Sequence, residues 1–255
     1  MKILFIGDVV DSVGCDFVRA NLVGVKRFYG IDAVIANGEN TAAGNGILPK
    51  TAEHLMASGV DVITGGNHSF KRKEIYEYFD KNKPVIRPAN FSENVPGNGV
   101  YILDFGKTQI AVINLIGRVY LDNYDCPFSK ADELIEKLET NLIFVDFHAE
   151  ATGEKGALAR YLDGKVSAIA GSHTHVQTSD EQILPGGTGF ITDAGMTGAV
   201  DSILGVKPEI IIKKMRTHMP ARYETGTGAC KMEGVVFELC EQSGKCKNTE
   251  RIRVI

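Results

Sequence analysis

The sequence predicts a mixed α/β sandwich, with two sheets packed face to face and helices on the outside. Three observations point there. Up to Arg87, short apolar runs alternate with helical stretches, the pattern of a parallel sheet covered by helices. From Val100, two apolar runs are separated only by Gly-Lys-Thr, so a β-hairpin opens a second sheet. No linker, repeat or low-complexity tract interrupts the 255 residues, so both sheets belong to one domain, 1–255.

KILFIG (2–7) is a compact apolar strand that ends at Gly7-Asp8. Residues 16–29 carry apolar side chains at helical spacing. DAVIAN (32–37) is a second strand. Pro49 opens a helix over 49–58, because its fixed φ and missing N–H suit a first turn. DVITG (61–65) is a third strand, 72–81 a helix and PVIR (84–87) a short fourth strand. VYILDF (100–105) and QIAVINLIG (109–117) form the hairpin. A helix over 130–140 precedes the strand NLIFVDFH (141–148), and a helix over 155–164 precedes VSAIAG (166–171). QILPGGTGFIT (182–192) is hairpin-like, 208–219 is a helix, and 232–240 and 247–255 are two closing strands.

Composition excludes several classes. Hydrophobic residues make up 44% and charged residues 24%, ordinary for a soluble globular chain. The net charge of −4 gives no basis for electrostatic capture of nucleic acid, so RNA is unsupported as a partner. No apolar run reaches the length of a membrane span, so no membrane partner is expected. MKILFIGDVV reads as a first strand rather than a signal peptide, which gives a cytoplasmic expectation. The five cysteines are odd in number and form no CxxC pair, against thiolate zinc and a disulfide framework.

In open α/β sheets, ligands bind beyond the carboxyl ends of the strands. The residues there are Asp8 after the first strand, Glu39 and Asn40 after the second, and Asn67 and His68 after the third. His148 ends the strand at 141–148, and GSHTH (171–175) brings His173 and His175 after the next. Each has a plain structural explanation alone: a turn cap, a left-handed loop residue, a buried hydrogen-bonded imidazole. Their collection at strand exits does not. His54 and His218 lie within helical stretches and receive no role. Gly7, Gly38, Gly65, Gly66 and Gly171 immediately precede the polar residues, where glycine permits sharp turns and close approach. A donor set of carboxylates, imidazoles and amide oxygens without thiolate suits manganese, iron, zinc or cobalt. Seven donors exceed one ion and suit two, about 3.5 Å apart, with Glu39 as the bridging carboxylate.

These residues resemble a known family. GD (7–8), GEN (38–40), GNH (66–68), the histidine of DFHAE (146–150) and GSHTH (171–175) are similar to the motifs of the calcineurin-like metallophosphoesterases. MKILFIGDVVDSVG, GNHSFKRKEI, DFHAEATGEK, GSHTHVQTSDEQILPGGTGFITDAGMTG and GVKPE resemble, more narrowly, the bacterial YmdB-like subfamily, over nearly the whole chain. The resemblance implies a four-layer α/β/β/α sandwich of two mixed sheets with outer helices. It also implies phosphodiesterase action on 2′,3′-cyclic or 3′,5′-cyclic nucleotides, with water activated between two metal ions, iron or manganese above zinc. One ion takes Asp8, Glu39, Asn40 and His175; the other takes Glu39, Asn67, His148 and His173; His68 is the acid. Self-association into a homo-oligomer is expected on the same ground. The broad superfamily begins with Asp-x-His and bridges with Asp, whereas this chain has Gly-Asp-Val-Val and Glu39, as the narrow subfamily does. Ser69-Phe70 stands where Thr-Trp is expected, a change that bears on the pocket wall.

Asp146, Glu150 and Asp193 are candidates for orienting ligand imidazoles, alongside a plain reading as turn or surface carboxylates. Rival functions fit less well. An amidohydrolase places its His-x-His on the first strand of a barrel, not on a late one. GNGILPKT (44–51) has Pro49 where a Walker loop needs a glycine N–H. A phosphomonoesterase acting on phosphoproteins or other esters, and a non-catalytic metal-binding regulator, remain the alternatives.

Overall fold

The computed structural model describes residues 1–255. The strands are β1 (Lys2–Ile6), β2 (Asp8–Val9), β3 (Ala33–Asn37), β4 (Val62–Thr64), β5 (Val100–Asp104), β6 (Gln109–Ile116), β7 (Ile143–His148), β8 (Ala168–Ser172), β9 (Gln182–Ile183), β10 (Gly189–Ile191), β11 (Met196–Ala199), β12 (Cys230–Leu239) and β13 (Cys246–Val254). The helices are α1 (Asp11–Tyr29), α2 (Pro49–Ala57), α3 (Tyr76–Phe79), α4 (Pro127–Glu136), α5 (Thr152–Tyr161) and α6 (Pro208–Thr217). One sheet runs β2–β11–β12–β1–β3–β4, with β13 also on β12; the other runs β5–β6–β7–β8–β10–β9. Both are mixed. The strand–helix–strand units give parallel pairs β1–β3–β4 and β6–β7–β8, and hairpins and returning strands give the antiparallel ones.

Side-chain alternation along the strands builds the layers. Ile3 and Phe5 of β1, with Ala33 and Ile35 of β3, point into the space between the sheets, where Ile110, Val112 and Phe144 meet them from the other side. Leu4, Ile6, Val34 and Ala36 point the opposite way and pack under Val18, Leu22 and Val25 of α1 and Leu55 of α2. Ala111, Ile113, Val145 and Phe147 do the same under Leu158 of α5 and Ala131 of α4. Central strands thus bury both faces, which is why they read as unbroken apolar runs. Helix, sheet, sheet, helix is the four-layer order that the resemblance implied. No helix is long and apolar enough to cross a membrane.

Several elements differ from expectation. Helix α1 begins at Asp11 rather than 16; the buried residues of its early turns, Gly14 and Cys15, are small and carry little periodic signal. It stops at Gly30, whose left-handed backbone (φ 66°) returns its N–H to Lys26. The helix expected over 72–81 shrinks to a 3₁₀ turn, Lys73–Ile75, and the single turn α3. PVIR is not a strand: Pro84 brings no N–H, and only an isolated bridge, Ile63 to Val85, forms. Strands β2 and β11 were not expected at all. They are two and four residues long and pair with each other in parallel.

Candidate metal centre

The alternation that builds the core also builds the site. In β3, β4, β6, β7 and β8, the positions in step with the inter-sheet core become polar near the carboxyl end: Asn37, Thr64, Asn114, Asp146, His148 and Ser172. All six are fully buried. Apolar packing between the sheets therefore gives way, at one end, to a polar floor.

On this floor the predicted residues meet. Glu39 Oε1 lies 3.3 Å from His148 Nε2, and Asn67 Oδ1 lies 3.0 Å from the same nitrogen. His173 Nδ1 is 3.1 Å from it. Around Asp8, His175 Nε2 is 3.5 Å from Oδ1, and the His173 backbone N–H donates to Oδ2 at 2.9 Å. Asn40 links the two groups: its amide nitrogen is 3.0 Å from Glu39 Oε1 and 3.3 Å from His175 Nε2. His68 Nδ1 is 3.0 Å from both Glu39 Oε1 and Asn40 Oδ1, and its Nε2 is 3.3 Å from Asn45 Nδ2. The structure thus brings all eight residues together, and leaves His54 paired with Asp16 on the surface and His218 at the end of α6.

Three of the cluster histidines have one ring nitrogen engaged away from Asp8 and Glu39. His148 Nδ1 is 2.9 Å from Ser172 Oγ, which itself donates to Asp146 at 2.6 Å. His173 Nε2 is 3.1 Å from Glu150, and His175 Nδ1 donates to the Leu204 carbonyl at 3.2 Å. Those partners assign an N–H to the outward nitrogen and leave the inward one as the lone-pair donor. Of the carboxylates expected to orient the rings, Glu150 touches one directly and Asp146 acts through Ser172. Asp193 contacts no imidazole; it accepts from the Thr174 N–H and hydroxyl and from Lys155 at 2.7 Å, and so pins the residue between the two histidines.

The backbone at this turn is unusual. None of the five glycines singled out from the sequence has a positive φ; the left-handed conformations fall on His173 (φ 97°) and His175 (φ 63°) themselves. What the glycines supply is proximity. A Cβ on Gly66 would stand 2.3 Å from both Glu39 Oε2 and His148 Nε2.

Charges in the cluster are tightly coupled. Burial alone would raise the Asp8 and Glu39 carboxyls, but His175 and His148 respectively outweigh it and hold both below the usual range. Burial would lower His148, yet Glu39 lifts it to about 9. Burial and the neighbouring His148 push His173 down to about 4. Burial raises Asp146 to about 6, against its hydrogen bonds from Ser172, Thr64 and Asn37. Without a cation the cluster is thus a set of buried carboxylates balanced by protons on imidazoles, the sites a metal ion replaces.

The residues fit such an ion. Glu39, His148 and His173 offer donor atoms all within 4.8 Å of one another. Donors about 2.1 Å from one ion stand about 3.0–3.4 Å apart, the spacing seen around His148 Nε2. Asp8 Oδ1 is buried with no hydrogen-bond partner and has only the His175 ring at 3.5 Å to balance it, so a cation beside it would offset a burial cost of several kcal/mol by order of magnitude. The donors are imidazole nitrogens and oxygens, with no sulfur among them.

Sequence reasoning gives no role to Asn37 and Ser172, though both stand at strand exits, and passes over Thr64 and Asn114. Asn37 donates to Gly65 O and Asp146 at 3.0 Å each, and Asn114 Oδ1 receives the Gly65 N–H at 3.0 Å, fixing the strand exit that carries Asn67. Their signal was available: a polar residue on the inward parity of an otherwise apolar strand.

Known proteins share this sequence and this fold. The family model of YmdB-like proteins matches residues 4–252. A 2′,3′-cyclic-nucleotide 2′-phosphodiesterase of Bacillus subtilis (strain 168) is 48% identical, over 100% of this chain and 97% of that protein. The crystal structure of a hypothetical protein from Thermus thermophilus superposes with a TM-score of 0.94 at 37% identity, covering 100% of this chain and 99% of that one. A structure described as a novel phosphatase, from Mycoplasma pneumoniae, gives 0.93 at 36% identity, covering 100% and 93%.

Proposed function

The chain belongs to the YmdB-like family, and from that premise we propose that it is a metal-dependent phosphodiesterase that hydrolyses nucleoside 2′,3′-cyclic phosphates. One observation carries the reading: three histidines each have one ring nitrogen engaged by an outer partner, while the other faces buried Glu39 (His148), buried Asp8 (His175) or the donor atoms of Glu39 and His148 (His173). That is how ligands are held for metal, not how core histidines are satisfied. Asp8, Glu39, Asn40 and His175 would hold one ion, and Glu39, Asn67, His148 and His173 a second, with Glu39 shared. Bound cations supply Lewis-acid polarisation of phosphate oxygens and activation of water. A donor set of this kind suits iron or manganese, and also zinc.

His68 supplies the protein's own chemistry. Its Nδ1 is held by Glu39 and Asn40, so the ring is fixed, and Nε2, met only by the Asn45 amide at 3.3 Å, is the atom left to serve substrate once that contact yields. A water oxygen bonds to phosphorus and releases one proton to solvent, the bond from phosphorus to the 2′ oxygen breaks, and Nε2–H gives its proton to that oxygen, to be restored from solvent. The product keeps its phosphate on the 3′ oxygen, in line with the name of the Bacillus subtilis relative.

The test is turnover by the purified, manganese-loaded protein of adenosine 2′,3′-cyclic phosphate, adenosine 3′,5′-cyclic phosphate and p-nitrophenyl phosphate. The expected result is release of 3′-AMP, abolished by chelation and reduced to background in His148→Ala. Failure to open the 2′,3′-cyclic ester, or preferential hydrolysis of the monoester, overturns it.

A further inference from the structure

A cavity of about 720 Å³ shares Asn67 with the metal-ligand cluster. It is within the size range of small-ligand sites. Three aromatic rings line it: Phe70, Phe91 and Tyr124. Phe91 and Tyr124 stand 4.9 Å apart at 33°, and Phe70 and Phe91 5.7 Å apart at 38°, both nearer parallel than edge-on. Phe70 also packs on Tyr76 and Phe79, each at 5.5 Å, so the ladder is rooted in the core. Among the eleven lining residues are three carboxylates, Glu93, Asp122 and Asp125, and no lysine or arginine. Only Glu93 has a cationic partner, Lys130 at 3.6 Å.

We propose that this cavity is a subsite for a single neutral nucleoside, which stacks its base on Tyr124, the half-buried ring backed by the buried Phe91, and disfavours any further phosphate. The proposal rests on the phosphodiesterase reading and specifies its substrate class. Flat π faces accept any base, so the ladder contributes affinity with little base preference, about tenfold or more per stacked base. Unpaired Asp122 and Asp125 repel an added phosphate within a Debye length. The preferred substrate is therefore a mononucleoside 2′,3′-cyclic phosphate, not an RNA 3′ end that carries a phosphodiester on its 5′ side. Phe70 takes on meaning here: of the Ser69-Phe70 pair, Phe70 lies in the cavity wall, whereas Ser69 is buried and bonded to Gly66.

Three substrates test this with the metal-loaded full chain: adenosine 2′,3′-cyclic phosphate, its counterpart with a 5′-phosphate, and methyl riboside 2′,3′-cyclic phosphate, which lacks a base. The wild type is expected to show kcat/KM at least tenfold higher for the nucleoside than for the baseless sugar, chiefly through KM. Tyr124→Ala should bring that ratio toward one. The 5′-phosphate should lower kcat/KM about tenfold, and Asp122→Asn should shrink that penalty. Equal kcat/KM for nucleoside and baseless sugar in the wild type overturns the subsite while leaving the phosphodiesterase reading intact. Equal rates with and without the 5′-phosphate overturn its exclusion of RNA ends. Hydrolysis of none of the three removes both readings together. Should Tyr124→Ala fail to fold, the wild-type ratios decide alone.

Discussion

His68 is held differently from the other cluster histidines: its Nδ1 meets Glu39 and Asn40, and its Nε2 meets only the Asn45 amide. Asn45 lies in a loop where Gly44, Asn45 and Gly46 all have positive φ. A ring anchored at one nitrogen and lightly capped at the other can pass a proton without changing the ligand set. On the proposed reading, His68→Ala therefore lowers kcat by about 10²–10⁴-fold, with metal content unchanged by elemental analysis. Loss of metal in parallel with activity would make His68 a structural support of Glu39 instead. At this scale the sequence was informative, because carboxylate, amide and imidazole residues at strand exits are rare enough to stand out. What it could not convey was which ring nitrogen faces inward. That depends on how Ser172 Oγ, Glu150 and the Leu204 carbonyl are placed in space; the first two stand within the motifs, but their pairing with particular rings does not follow from the motif letters.

At the scale of elements, long apolar strands and the hairpin at β5–β6 were legible, since their burial on both faces leaves a continuous signal. Short elements were not. Strand β2 holds Asp8 against β11 through two residue pairs, a length at which no periodicity exists. The conformation of the turn after β8 carries no sequence signal, because its left-handed backbone falls not on a glycine but on His173 and His175. That strain costs of order 1–3 kcal/mol per residue and is sustained by the Asp193 bonds to Thr174 between them. The turn after β4 depends on space instead. Gly66→Ala inserts a methyl group 2.3 Å from Glu39 Oε2 and His148 Nε2. The variant is expected to fold with a near-normal circular dichroism spectrum yet lose most of its bound metal. Retention of wild-type metal content would show that the loop yields and that the cradle is less tight than its atoms indicate.

Across the whole molecule, the proposed ligand set is divided between the sheets. Asp8, Glu39, Asn40 and Asn67 come from β2, β3 and β4 of one sheet, and His148, His173 and His175 from β7 and β8 of the other. A cation held by this set joins the sheets across the end where their apolar packing stops. Ligand that binds only the folded state stabilises it by about 3–4 kcal/mol at 100–1,000 times Kd. For a chain of this length that corresponds to roughly 5–15 °C in Tm. Thermal scans with manganese and with a chelator should differ by that amount, and equal Tm values would mean that no ion is bound between the sheets.

Strand β12 pairs with β1 through one stretch and with β11 through another, so it connects the strand before Asp8 to the strand that holds Asp8 in place. Yet β12 follows every one of the ligand residues in the chain. A polypeptide emerging from the ribosome has therefore released all its donors long before it can arrange them. On the proposed reading, metal acquisition belongs to the close of synthesis, and a nascent chain arrested before Cys230 is expected not to bind the ion.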